Sequence, residues 1–209
     1  MNCVLRTMES QQVIPVVRAN TTDDAKTIVE AIIMGGMRMV ELTTTIPGVY
    51  ELVGVLRKSH PHAVFALGTI RDRDGAERAI NSGAELLISY KVSEEIAEVG
   101  QRGRVPYILG GVTPTEIDRC VELGSAMVKL FPASILGPGI VHDLQGPFPG
   151  IKYFPTGSIT LEEIDAWLDS GASAVGIGGA LLRGSPREIR DNVRTVMANL
   201  LRRAKERHE

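Results

Sequence analysis

One unit recurs along this chain: a short β-branched run, a loop, an amphipathic stretch, and a glycine that stops it. The runs Val13–Val17, Met39–Leu42, Val64–Leu67, Leu86–Ser89, Pro106–Leu109, Met127–Leu130, Lys152–Pro155 and Ala174–Ile177 read as strands. Helical stretches between them open on polar caps. Thr22-Asp23-Asp24 stands before Ala25–Met34, Asp72 before Gly75–Asn81, and Ser93-Glu94-Glu95 before the run to Val99. Thr113 precedes Pro114 at a first helical position, and Thr160–Glu163 has the spacing of a capping box. Several helices end alike, at Gly35-Gly36, Gly83, Gly124 and Gly171, where glycine supplies a left-handed cap. Strands alternating with helices imply a parallel sheet. Eight such units close a (β/α)8 TIM barrel, for which 209 residues is short. An open dinucleotide-binding sheet would want G-x-G-x-x-G after its first strand, but Val17 is followed by Arg18-Ala19-Asn20-Thr21. No linker interrupts the pattern, so residues 1–209 are expected to form a single barrel domain. Within it, 1–11 form a leading helix and 186–204 a closing one.

Only 4% of residues are aromatic against 44% hydrophobic, so the core must be aliphatic. A net charge of -2 offers no basic face to nucleic acid. The basic cluster Arg202, Arg203, Lys205 and Arg207 falls where cations suit the end of a helix. Cys3 and Cys120 belong to no CxxC or Cys/His cluster, so neither a disulfide framework nor a zinc site is expected. His60 and His62 lack a third ligand and read as solvent-exposed. No run is long enough to span a membrane, and the N-terminus lacks a signal-peptide core. The expected location is the cytoplasm.

Against this background one lysine stands out. Lys129 lies inside the apolar run Ala126–Leu130, just ahead of Phe131-Pro132. Lysine is rarely buried unless paired or functional, and an amine held beside a carbonyl carbon is a Schiff-base nucleophile. The bland alternative is a strand-end lysine whose stem packs while its head reaches water. In a parallel barrel the active site forms at the C-terminal ends of the strands, where Arg18, Glu41, Thr43, Thr69, Ser89, Lys129 and Thr156 fall. Strand alternation groups Glu41 with Met39, Thr69 with Phe65 and Leu67, and Lys129 with Met127. If those faces point inward, Glu41, Thr69 and Lys129 meet at one mouth. A carboxylate within an apolar strand suits general acid/base work, the alternative being a structural ion pair with Arg18 or Lys129. Arg18 can fork onto a substrate carboxylate or serve in such a pair. Thr156-Gly157-Ser158 and Gly178-Gly179 follow the last two strands, where such barrels cradle anions on backbone N–H groups and a helix N-terminus.

Taken in order, Ile14–Arg18, Val40–Thr43, Leu67–Thr69, Val128–Ala133, Gly146–Phe148, Phe154–Gly157 and Gly178–Leu181 resemble one family over nearly the whole chain. It is the class I 2-keto-3-deoxy-6-phosphogluconate (KDPG) and 4-hydroxy-2-oxoglutarate (KHG) aldolases. The resemblance implies a (β/α)8 barrel assembled as a homotrimer. It implies a covalent imine through Lys129 with no cofactor and no metal, and Glu41 as the general acid/base. Thr69 and Arg18 fall where the family meets the keto acid. Thr156, Gly157, Ser158, Gly178 and Gly179 fall in its distal anion site. The implied substrate is a small keto acid, with or without a phosphate. Four departures bear on the aldehyde end. Thr45 stands where phosphogluconate-type members have arginine, Tyr90-Lys91 replaces Pro-Gly, Ser158 replaces a glycine, and Ala180 replaces a serine. Two rival functions fit the residues: a phosphate-binding isomerase or synthase with Lys129 as an electrostatic clamp, and an idle keto-acid-binding protein.

Overall fold

The computed structural model describes residues 2–206; Met1, Arg207 and His208, which figured in the expectations above, lie outside them. Eight strands are found among the described residues: β1 Val13–Val17, β2 Met39–Thr43, β3 Val64–Gly68, β4 Leu86–Ile88, β5 Tyr107–Gly110, β6 Val128–Leu130, β7 Tyr153–Pro155 and β8 Val175–Ile177. Every expected strand forms, each within a residue of its expected bounds. All pair in parallel in the order β7-β6-β5-β4-β3-β2-β1-β8. A parallel bridge between Thr156 and Gly176 joins the outermost strands, so the sheet closes as the (β/α)8 barrel.

The helices are α1 Cys3–Gln11, α2 Thr22–Gly35, α3 Val49–Ser59, α4 Arg73–Asn81, α5 Glu94–Gly103 and α6 Pro114–Glu122. Then come α7 Ala133–Leu136, α8 Gly139–Gln145, α9 Ile164–Asp169 and α10 Pro186–Glu206. Side-chain caps at Thr21, Asp72, Ser93 and Thr113 start α2, α4, α5 and α6 by taking up orphan N–H groups. Gly83, Gly124 and Gly171 adopt positive φ after α4, α6 and α9. There the next N–H reaches back six residues, as in Ala84 N–H to the Ala79 carbonyl at 3.0 Å. The Thr160–Glu163 box forms only by half. Glu163 accepts from the Thr160 N–H at 2.8 Å, but α9 starts only at Ile164 and has no side-chain cap bond. A full reciprocal box appears instead at Ser185 and Glu188, opening α10.

Two shells of apolar side chains follow from the pleat. Ile14, Met39, Ala66, Ile108, Met127 and Phe154 fill the barrel interior, and a larger set packs between strands and helices. Met8 of α1 joins the interior set and closes the barrel floor. Beside it Gln11 is buried, donating to the carbonyls of Val13 and Met39 and accepting from the N–H groups of Arg38 and Met39, all at 2.7–3.0 Å. His60 is half-buried and His62 exposed on that same lower side, beside a recess of about 240 Å³. Arg203 departs from the idle helix end expected of it: its side chain is 13% exposed and bonds Asp165 and Asp169 of α9. Among the described residues no helix is long and apolar enough to cross a membrane.

Candidate active site

At the C-terminal mouth the strands present one inward position each in the uppermost layer. Glu41 of β2 and Lys129 of β6 share the inner face with Met39 and Met127, as the alternation requires. They meet across the barrel, with Lys129 Nζ donating to Glu41 Oε1 at 3.2 Å. Their side chains are 7% and 1% exposed. The lysine is therefore not a snorkelling one. Its ammonium also lies 5.6 Å from the centre of the Phe154 ring. The second oxygen, Glu41 Oε2, is buried with no hydrogen-bond partner among the described residues. A buried ion pair contributes little net stability, because desolvation offsets the attraction. Such a pair at a barrel mouth, with one carboxylate oxygen unbonded, is suited to moving protons at a substrate.

Glycine makes the room. Gly68, Gly110 and Gly176 share inward faces with Ala66, Ile108 and Ala174. A Cβ on Gly68 would stand 1.9 Å from Glu41 Oε1, and one on Gly176 would stand 2.5 Å from Thr156 Cγ2. Gly110 lets the Tyr90 backbone approach to 2.3 Å of the same hypothetical atom. These glycines hollow the top layer that larger residues fill below. The Leu-Gly-Thr motif drew attention to Thr69, and Gly68 passed unnoticed; its inward register beside Glu41 was the available signal.

The grouping of Thr69 with Phe65 and Leu67 fails as a guide to direction. Those two pack in the outer shell, and it is Ala66 that faces inward. Thr69 nonetheless reaches the mouth, because it leaves β3 with φ +63°. That left-handed turn redirects its hydroxyl, which accepts a 3.4 Å bond from Arg18 Nη2. Arg18 is exposed at the end of β1 and does not pair with Glu41, whose ion-pair partner is Lys129. A β-branched residue at positive φ costs about 1–3 kcal/mol, so the surroundings must hold it there.

Thr156 follows β7 one inward step above Phe154, on the Lys129 side of the mouth by register. Its hydroxyl is buried without a partner among the described residues. Gly157 and Ser158 follow with φ +108° and +55°, and Ser158 is exposed. After β8, Gly178–Leu182 forms one turn, with the Leu181 and Leu182 N–H groups bonded to the Gly178 carbonyl at 3.0 and 3.1 Å. The helix N-terminus expected at this place is absent, since α10 begins only at Pro186. Thr45, Tyr90 and Lys91 are exposed, and Thr45 bonds Thr43 at 2.8 Å.

Parallel barrels carrying a buried lysine–carboxylate pair at the strand ends form a class of enzymes that work on carbonyl carbon. Comparison with known proteins narrows the class. The family model for KDPG and KHG aldolase matches residues 4–197. A 2-dehydro-3-deoxy-phosphogluconate aldolase of Treponema pallidum is 30% identical over 165 residues, covering 78% of this chain and 79% of its own length. A KHG/KDPG aldolase of Escherichia coli K12 is 27% identical, with 81% and 80% covered. Among solved structures, the 4-hydroxy-2-oxoglutarate/2-dehydro-3-deoxyphosphogluconate aldolase from TTHB1 superposes with TM-score 0.84 at 31% identity, covering 96% of this chain and 99% of that one. The chain belongs to the KDPG and KHG aldolase family, and it is a carbon–carbon lyase.

Proposed function

We propose that this aldolase cleaves a 2-keto-4-hydroxy acid of the KDPG or KHG type to pyruvate and an aldehyde through an imine on Lys129. The observation that carries the reading is the buried contact between Lys129 Nζ and Glu41 Oε1 at the barrel mouth. Further support comes from a KDPG aldolase of Legionella pneumophila, of the same fold, captured with pyruvate as a covalent carbinolamine. Lys129, as the free amine, attacks the C2 ketone, and the carbinolamine loses water to give a protonated imine. Glu41, through its unbonded Oε2, takes the C4 hydroxyl proton. The C3–C4 bond breaks, its electrons flow into the imine, and the aldehyde leaves an enamine behind. Glu41 returns a proton to C3, and water frees pyruvate and regenerates the amine. Electrons are held by the imine throughout, so the scheme requires no cofactor.

Arg18 and Thr69 are assigned to the keto-acid carboxylate, and Thr156, Gly157, Ser158, Gly178 and Gly179 to the distal end of the substrate. With Thr45 in place of an arginine, the distal end meets one cation fewer than in phosphogluconate-type members. We assign the chain to the cytoplasm, consistent with two free cysteines, and to a homotrimer, as the family resemblance implies.

Treatment with pyruvate and borohydride followed by peptide mapping tests the scheme. The expected result is a pyruvate-derived adduct on Lys129 and loss of both adduct and pyruvate release in Lys129→Ala. A folded wild-type protein that gives no adduct would remove the imine and favour a clamp lysine.

A further inference from the structure

We infer that Thr44, which touches neither Lys129 nor Glu41, is a positioning residue for the aldol cleavage. It holds Thr69 in the left-handed conformation that turns the Thr69 hydroxyl toward Arg18. The inference rests on the reading that Arg18 and Thr69 bind the keto-acid carboxylate.

Regular continuation of β3 would send the Thr69 side chain outward with Phe65 and Leu67. Its φ of +63° reverses this, in a conformation that β-branched residues rarely adopt. Bonds on both sides hold the peptide. From β2, the Thr44 N–H donates to the Gly68 carbonyl at 2.9 Å, and Thr44 Oγ1 donates to the Thr69 carbonyl at 2.8 Å. From β4, the Ile70 N–H donates to the Ile88 carbonyl at 3.2 Å, and Ser89 Oγ donates to the Ile70 carbonyl at 3.0 Å. The neighbouring Thr43 hydroxyl donates to the Val17 carbonyl at 3.2 Å, one residue before Arg18. Two consecutive threonines thus fasten the ends of β1 and β3 to β2, and so fix Arg18 and Thr69 relative to each other. Of these bonds, the Thr44 hydroxyl is the one made to the Thr69 carbonyl itself.

Thr44→Val keeps the shape and the backbone bond and deletes only that hydroxyl. The measurement is the pyruvate concentration that half-saturates borohydride trapping on Lys129, alongside the melting temperature. In Thr44→Val we expect half-saturation to rise roughly three- to tenfold, the scale of one neutral hydrogen bond, with the trapped fraction at saturating pyruvate unchanged. Thr44→Ser should restore the wild-type value within about twofold. A purely structural role would lower the melting temperature and leave half-saturation where it was, which would overturn the inference. Failure of Thr44→Ser to rescue would overturn it as well. Arg18→Ala separates the two levels. If it raises half-saturation and Thr44→Val does not, the positioning role alone fails. If neither moves it, the carboxylate assignment has failed and the positioning role falls with it.

Discussion

A single missing carbon sets the geometry of the proton-transferring group. Gly68 faces Glu41, and an added Cβ would stand 1.9 Å from Oε1. No atom can occupy that distance, so in Gly68→Ala the carboxylate must swing away from its place beside Lys129. The amine would remain. Gly68→Ala should therefore still be trapped by pyruvate and borohydride, while turnover of a 2-keto-4-hydroxy acid falls by about two orders of magnitude, the usual scale for a lost general acid/base. Single-turnover trapping set against steady-state pyruvate release checks this, and wild-type turnover in the variant would refute it. At this scale the chain was partly legible. Lys129 and Glu41 declare themselves because charges inside apolar strands are costly. Thr69 was found for the wrong reason: alternation does not survive a left-handed residue, and nothing in Leu67-Gly68-Thr69 announces φ +63°.

At the scale of elements, strands were readable because buried parallel strands are continuous apolar runs. The helix α3 had been passed over, and its start explains why. It begins after Gly48 in a left-handed conformation with no side-chain cap bond, so there is no Ser, Thr, Asp or Asn to mark it. The role of α1 was also hidden, because Gln11 looks like any polar residue at a helix end. In the fold it replaces strand pairing at the barrel floor, with four bonds to Val13, Arg38 and Met39. Gln11→Ala leaves these backbone groups to find water in a buried place. It should cost roughly 2–4 kcal/mol and lower Tm by on the order of 10 °C, with the pyruvate adduct on Lys129 still formed at low temperature. Urea unfolding measures the loss, and an unchanged midpoint would show that α1 is dispensable.

For the molecule as a whole, two buried acids outside the site govern its alkaline limit. Burial pushes the Cys120 thiol from 9.0 up to about 12, with Glu116 adding to the effect. It likewise pushes the Tyr153 hydroxyl from 10.0 to about 12. The folded chain keeps these protons after the unfolded chain has released them. Stability is thus full below about pH 9 and declines as pH rises toward 12, by at most about 1.4 kcal/mol per pH unit for each group. The urea midpoint should fall between pH 8 and pH 11, less steeply in Cys120→Ala, and a flat profile would contradict the assignment. The closure of the ring carries a different consequence. Its other strand junctions are held by two to five paired residues, but among the described residues β7 meets β8 only through Thr156 and Gly176. This clasp lies where the distal end of the substrate is assigned. A ligand resting on Thr156 and Gly157 damps the breathing of the seam. By reciprocity, whatever stiffens the seam tightens the ligand, so recognition of the substrate's far end and the integrity of the hoop share one equilibrium.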